Sequence, residues 1–433
     1  MRIFRKKQRL INDRLQTSYC IGPLPILSVE ASSSRKRLYL LGLKFFSKRY
    51  LAPEQCQHCS NKKLAYLQTK KIDQTRLIIW FDHCLGGGTE VYSNRTITSL
   101  VDNYNVLRIQ YIWIKGCFRL TFIRNEDAEV CYLFSLADLR EFLLGINFIK
   151  IVVNNLVGYK DSLEILKLIS ELKAIKDKNF DVIFNLHDYH CICPNYNLIY
   201  VGKEYCCLDF KKCKECFPLI RLSEKPLENR ILMSGARNPH EWRSVWGEFF
   251  EKDCDKIVTF SKGSRDILLK AYPFSEGKVE IKPHNVPKVR SVEIPKHTGL
   301  NIAFLGEIGL RQKGREIVRQ ISESLGDHDG IKLFVIGEYK NPPKGLSVTG
   351  RYQLSNLPSI VEKLKIDIIM IPSIWPETFS FTTSEAIQLN IPVACFDYGA
   401  QAEKVGASNR GLILSDHDPK YILSAIKNHL TEN

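Results

Sequence analysis

No uncharged apolar run in this sequence approaches the roughly 18 to 20 residues that span a bilayer. The nearest, Leu38 to Leu43, is stopped by Lys44, so no transmembrane helix is expected. Acidic residues are scarce at the start. Residues 1–50 hold twelve Lys or Arg against only Asp13 and Glu30, and so carry ten of the fifteen net positive charges. No nucleic-acid motif accompanies that charge, nor is it spread over the whole chain, and a nucleic-acid partner is not expected. A secretory signal is weakly imitated by basic residues 2–9 and Ile21 to Val29 but is not expected: Asn12 to Ser18 separate the two, and the apolar stretch is broken by Gly22, Pro23 and Pro25. A cytoplasmic protein is expected. Internal repeats and low-complexity tracts are absent.

What is present fits a multidomain globular chain. It has 433 residues, 44% of them apolar and 25% charged, enough for two or three compact units. The basic first segment interleaves its cations with Leu38, Tyr39, Leu40, Leu41, Leu43, Phe45 and Phe46. Two readings stay open for this extension, residues 1–75: an anchor for an anionic membrane surface, or a solvated basic tail with a short element docked on the main body. Of fourteen cysteines, several such as Cys131 and Cys395 fall inside apparent core strands, which reads as reduced thiols rather than disulfides.

From residue 76 onward, apolar runs of strand length alternate with helical patterns, the mark of βαβ units and parallel sheets. The first run, Leu77 to Asp82, leads into Gly86, Gly87 and Gly88, then a helical stretch. Ser261 is placed to cap the helix after a strand at Lys256 to Phe260. Residues 283–299, with Pro283, Pro287 and Pro295, read as a linker, and a second series begins at Asn301. The expected fold class is α/β: two Rossmann-like domains, 76–285 and 286–415, facing across a cleft, with a terminal helix in 416–433 packing back across it.

The stretch richest in chemistry runs Trp375-Pro376-Glu377-Thr378-Phe379-Ser380-Phe381-Thr382-Thr383-Ser384-Glu385. Two carboxylates eight residues apart flank amides of Phe379, Ser380, Phe381 and Thr382 at a helix start, where unpaired donors and the helix dipole favour phosphate. One carboxylate can accept hydrogen bonds from sugar hydroxyls and the other from ribose hydroxyls. A solvated helix face would show the same pair of glutamates, and it is the surrounding sequence that singles them out.

This segment resembles the E-x7-E signature of the retaining glycosyltransferases of family 4, which have the GT-B fold. The resemblance extends over most of residues 77–430. It includes Gly86-Gly87-Gly88-Thr89-Glu90, Asn185-Leu186-His187-Asp188-Tyr189, Cys193-Pro194-Asn195, Phe304-Leu305-Gly306, Lys313-Gly314, Pro392-Val393, Gly399-Ala400 and Glu403. It implies a metal-independent, retaining hexosyltransferase of cell-surface polysaccharide assembly, of lipopolysaccharide or capsule type. The first domain would bind a glycan or lipid-linked acceptor at the cytoplasmic membrane face, and the second a nucleotide-sugar donor. Glu377 would hold the transferred sugar, Glu385 the ribose, and Lys313 the diphosphate, with His187 near the reactive carbon. Gly86 to Gly88 would form the acceptor-side loop. The family often has Arg directly after the first glycine of the second domain; this chain has Glu307 there, which leaves Arg311 as the substitute. A nucleotide-sugar epimerase or phosphorylase of the same fold, or a non-catalytic subunit of a synthase complex, stands as the alternative.

No metal or cofactor is expected at the reaction centre. Asp253-Cys254-Asp255, Asp327-His328-Asp329 and Asp416-His417-Asp418 do not directly end nucleotide-binding strands, so they read as solvated. Cys56-x2-Cys59 and Cys213-x2-Cys216 have zinc-knuckle spacing. A structural zinc on Cys213 and Cys216 is the less favoured reading, since over 150 residues part the two pairs.

Overall fold

In the computed structural model, residues 76–432 are described apart from 114, 126, 178, 201–203, 222–237 and 327–329. Before them only the backbone of five strands is described, β1 (Phe4–Ile11), β2 (Arg14–Ile21), β3 (Leu24–Ser32), β4 (Arg35–Leu40) and β5 (Leu43–Arg49), paired in sequence order as an antiparallel meander. The anchoring role considered for the basic extension, and the Cys56–Cys59 pair, lie outside the described residues.

The chain divides into two units, Met1–Ile79 with Leu100–Ile149, and Trp80–Ser99 with Lys150–Asn433. The boundary falls inside β6 (Leu77–Asp82). Beyond β6, the first unit contains the antiparallel strands β7 (Asn105–Ile112), β8 (Cys117–Arg124) and β9 (Asp127–Leu133). Its helix Leu136–Leu144 is capped by Ser135, whose hydroxyl accepts from the Asp138 amide.

The second unit holds two Rossmann-like bodies. In the first, β10 (Lys150–Val153), β11 (Asp181–Asn185), β14 (Lys256–Thr259) and β15 (Val279–Ile281) pair in parallel. Between β11 and β14 lies a two-strand ribbon of β12 (Ile199–Tyr200) and β13 (Glu204–Tyr205). Helix Pro239–Lys252 covers this sheet because Trp242, Trp246, Phe249 and Phe250 recur at helical spacing and are all buried. Ser261 caps helix Lys262–Ala271 in a reciprocal pair with Ser264, as the sequence suggests.

The second body has strands β16 (Leu300–Glu307), β17 (Ile331–Glu338), β18 (Leu346–Val348), β19 (Ile368–Ile371), β20 (Val393–Phe396) and β21 (Gly411–Leu414), in the order β18-β17-β16-β19-β20-β21. All are parallel, and the reversal of order beside β16 is the switch point of a dinucleotide-binding fold. Both faces are covered: Ile302 and Phe304 enter one core cluster, Ala303 and Leu305 the other. Helix Pro419–Glu432 buries Ile422 and Ile426 in the first of these clusters.

The bodies touch closely within this unit. A Cβ built on Gly263 would lie 3.1 Å from the Gly399 carbonyl carbon. Beside that contact the Gly263 amide donates to Glu403 Oε2 at 2.9 Å. Glu403 thus supplies an acceptor to an orphan donor in the first turn of helix Lys262–Ala271.

Candidate active site

The segment after β19 builds the site. Pro372 to Ser380 leave the sheet at its carboxyl edge, and helix Phe381–Gln388 follows. Ser380 sits in the left-handed region at φ 57°, which turns the chain sharply into that helix. The Ser380 hydroxyl pairs with Thr383 Oγ1 at 2.7 Å. Lys404, from helix Gly399–Gly406, braces the turn: its ammonium donates to the Phe379 carbonyl at 2.6 Å and to Ser384 Oγ at 2.6 Å. It also stands 3.3 Å from the centre of the Phe379 ring. Burial, against the opposing pull of Glu377 and Glu403, brings the Lys404 pKa down to about 8.

Glu377 is only 5% exposed. Lys313 Nζ reaches its Oε1 at 2.8 Å, and the Ser373 hydroxyl donates to the same oxygen. Burial alone would raise this carboxyl, but the Lys313 ammonium and the surrounding donors outweigh it and hold the pKa below the ordinary value. Lys313 is placed by the 3-10 turn Arg311–Lys313 and by Gly314 at φ +85°, where a Cβ would stand 2.0 Å from the Pro372 carbonyl oxygen. Only glycine allows that approach. Arg311 is exposed on the same turn.

Glu385 does not join the Lys313–Glu377 pair. It accepts from Tyr352 Oη at 2.9 Å, and burial raises its pKa despite that bond. Thr382 abuts the switch point: a Cβ on Gly306 would meet its methyl at 3.2 Å.

Across from this loop, His187 follows β11 of the first body. Thr378 Oγ1 donates to the His187 carbonyl at 2.9 Å, so the two loops are joined by a direct bond. Asn154 gives its amide hydrogen to Asp82 and presents Oδ1 to both Asn185 Nδ2 and His187 Nε2, each at 2.9 Å. That arrangement assigns the imidazole proton to Nε2. Burial first, then the nearby His284 and His83, lowers the His187 pKa well below its usual value, leaving a neutral ring.

The glycine loop adjoins helix Phe381–Gln388: Gly86 and Gly87 take φ of +84° and +81°, and a Cβ on Gly88 would touch the Phe381 ring at 3.5 Å. Beside it opens a cavity of about 620 Å³ whose walls include Tyr92, Arg95, Lys282, His284 and Phe381, with no acidic residue in its lining. His284 was not singled out by sequence. It stacks on Phe260 at 4.0 Å and on Phe381 at 5.1 Å. Burial, with Lys404 and Arg95 nearby, lowers its pKa to about 4. The one available signal is its position just after the last strand of a parallel sheet, at the edge where ligands of such folds bind.

Two Asp-x-Asp stretches have structural duties. Asp255 pairs with Lys173 at 2.7 Å and Asp253 accepts from Ser170, while Asp418 Oδ1 accepts from the Tyr421 amide at a helix start. Asp327 to Asp329 lie outside the described residues.

No protein-family model matches the chain, and no curated protein does. Solved structures do. The sucrose-phosphate synthase of Thermosynechococcus elongatus aligns at TM-score 0.50 with 14% identity, covering 82% of this chain and 90% of that one. HepE of Anabaena, solved with UDP-glucose, aligns at TM-score 0.50 with 12% identity over 82% of this chain and 90% of its own. The fold is GT-B. In GT-B terms the Lys313–Glu377 loop belongs to the second Rossmann body and the glycine loop with His187 to the first.

Proposed function

We propose that this chain is a glycosyltransferase that moves a sugar from a nucleotide-sugar donor to a glycan or lipid-linked acceptor, with retention and without a catalytic metal. The observation that carries the reading is the buried Glu377 paired to Lys313 directly before the amino end of helix Phe381–Gln388. Sugar–phosphate cleavage leaves a diphosphate whose charge grows as the bond breaks, and an ammonium with helix amides is suited to that charge. Lys313 would exchange its contact with Glu377 for the phosphate. The freed carboxylate, held ionised, would accept from the sugar hydroxyls. Glu385, with Tyr352, would receive the ribose.

Retention follows if the acceptor hydroxyl attacks on the face the diphosphate leaves. The acceptor oxygen bonds to the anomeric carbon, the carbon–phosphate oxygen bond breaks, and the acceptor proton passes to the departing phosphate. His187, neutral and fixed through Asn154, would offer a polar contact there without adding a competing cation. The cavity beside Tyr92 and His284 is the acceptor entrance on this reading. A role in surface-polysaccharide assembly, as a family 4 enzyme working at the inner membrane face, extends the same proposal. No helix among the described residues is long and apolar enough to cross a membrane, so any attachment through these helices would be peripheral.

The experiment is transfer assayed with a panel of nucleotide sugars, with and without glycan acceptors, on the wild type and Glu377→Gln. The variant is expected to keep its fold by circular dichroism and to lose about 10²-fold or more in turnover. Unchanged turnover would refute the assignment, and donor conversion without acceptor would indicate an epimerase instead.

A further inference from the structure

The cavity of about 620 Å³ beside the glycine loop is of the size of a ligand site, and its lining lies wholly within the second unit. None of Lys313, Glu377 and Glu385 lines it, so it is not the donor's pocket. Val91, Tyr92, Arg95, Thr96 and Ser99 recur at three- and four-residue spacing, and one face of helix Gly87–Leu100 thereby forms a wall. Lys282, His284 and Asn285, from the segment that follows β15, form a second. We infer that this cavity takes an acceptor bearing a phosphate group, held by Arg95 and Lys282, which rests on the glycosyl transfer proposed above and names the class of its acceptor.

Charge points to a dianion. Arg95 is exposed and has neither an ion pair nor a hydrogen bond among the described residues. Lys282 meets Glu280 Oε2 at 3.2 Å, but Lys256 claims the same oxygen, so one carboxylate answers two ammonium groups. One positive charge is left over there and another on Arg95, with no acidic residue in the lining to offset them. A phosphate monoester carries close to two negative charges at neutral pH, whereas a sugar carboxylate carries one.

The donors suit the same group. A phosphate presents oxygens that accept, and a guanidinium spans two of them while an ammonium adds a point charge. Asn285 is exposed with no hydrogen-bond partner among the described residues, and its amide supplies a further donor. Both cations already stand in solvent at the lining, so placing them against an anion takes little water from them.

A row of rings connects this cavity with the reaction centre. Tyr92 packs edge-on to His284 and to His187, at 4.8 Å in each case, and the His284 and His187 rings lie parallel at 5.8 Å. A phosphate held at Arg95 would therefore set its sugar along these rings toward His187. Arg95 is close enough to His284 to act, after burial and Lys404, in keeping that ring neutral. A neutral imidazole offers one donor and one acceptor, which sugar hydroxyls can use.

Glucose 6-phosphate is the probe, titrated calorimetrically into the full chain at low salt with UDP present to fill the donor pocket. It should bind, more weakly as salt is added, while glucose at the same concentration gives no signal. Arg95→Gln should weaken binding about tenfold or more and Lys282→Gln several-fold. Lys288→Gln removes an exposed cation outside the lining and should change nothing. All three positions are exposed, and melting curves matching the wild type would show that the fold is kept. Soluble dihexanoyl phosphatidic acid, titrated in parallel, separates the sources: the tighter of the two ligands, lost in Arg95→Gln, tells a lipid phosphate from a sugar phosphate. Glucose or glucuronate binding as tightly as glucose 6-phosphate would overturn the proposal, as would an affinity indifferent to Arg95 and Lys282. If UDP does not bind but glucose 6-phosphate still depends on Arg95, the phosphate site stands and the transferase assignment falls. Transfer to neutral acceptors that Arg95→Gln leaves untouched does the reverse.

Discussion

At the scale of single residues, the site is governed by which charges lose water. Lys404 is the clearest case, because its ammonium serves the Phe379 and Ser380 carbonyls and Ser384 Oγ, so three acceptors depend on one buried group. Lys404→Met should lower stability by about 1–3 kcal/mol, the cost of stranded polar groups, read from urea midpoints. His284 predicts a pH effect. In the folded chain it takes a proton only near pH 4, in the unfolded chain near 6.5. The unfolded state therefore binds more protons across that window, and this contribution to stability is lost as pH falls from about 6.5 to 4. Asp188, raised by burial to about 6, acts in the opposite sense below that pH. His284→Phe should flatten the acid limb of a urea-midpoint profile; an unchanged limb would assign it to other groups.

Elements set the site through their ends. The helix Phe381–Gln388 begins at a left-handed serine, and the turn bearing Lys313 ends in a left-handed glycine. Both devices redirect the chain at the carboxyl edge of the second sheet, where side chains and amides converge. Gly314→Ala should cost about 1–3 kcal/mol in strain and displace Lys313, raising the donor KM more than stability alone explains. Melting curves alongside donor titration separate the two. The glycines and the apolar strands were legible beforehand, since β6, β19 and β20 are continuously buried runs suited to a parallel sheet. The cap at Ser261 was legible too, because it depends on neighbours three residues away.

For the molecule as a whole, two Rossmann bodies meet through Gly263, Gly399 and Glu403, and through Thr378 on the His187 carbonyl. A nucleotide sugar held between them should stabilise both together. A matching ligand at a hundred times its dissociation constant should add roughly 2.7 kcal/mol, seen as a rise in Tm across a panel of nucleotide sugars. No response from any member would count against donor binding. The expected two-domain plan came from alternating strand and helix patterns, which are properties of short windows. Which cluster the terminal helix joins is a matter of contacts far apart in sequence: Ile422 and Ile426 are buried with Ile302 and Phe304 of β16.

By itself the sequence determined what local sterics and periodicity can dictate: the strands, the caps, the glycine turns, and the E-x7-E segment with its helix start. The tertiary structure decided which groups meet. Glu377 and Lys313 are 64 residues apart, and His284 and Phe381 nearly a hundred. Ionisation and pairing depend on distance through space and on lost solvent. Neither quantity is written along the chain until the fold closes it.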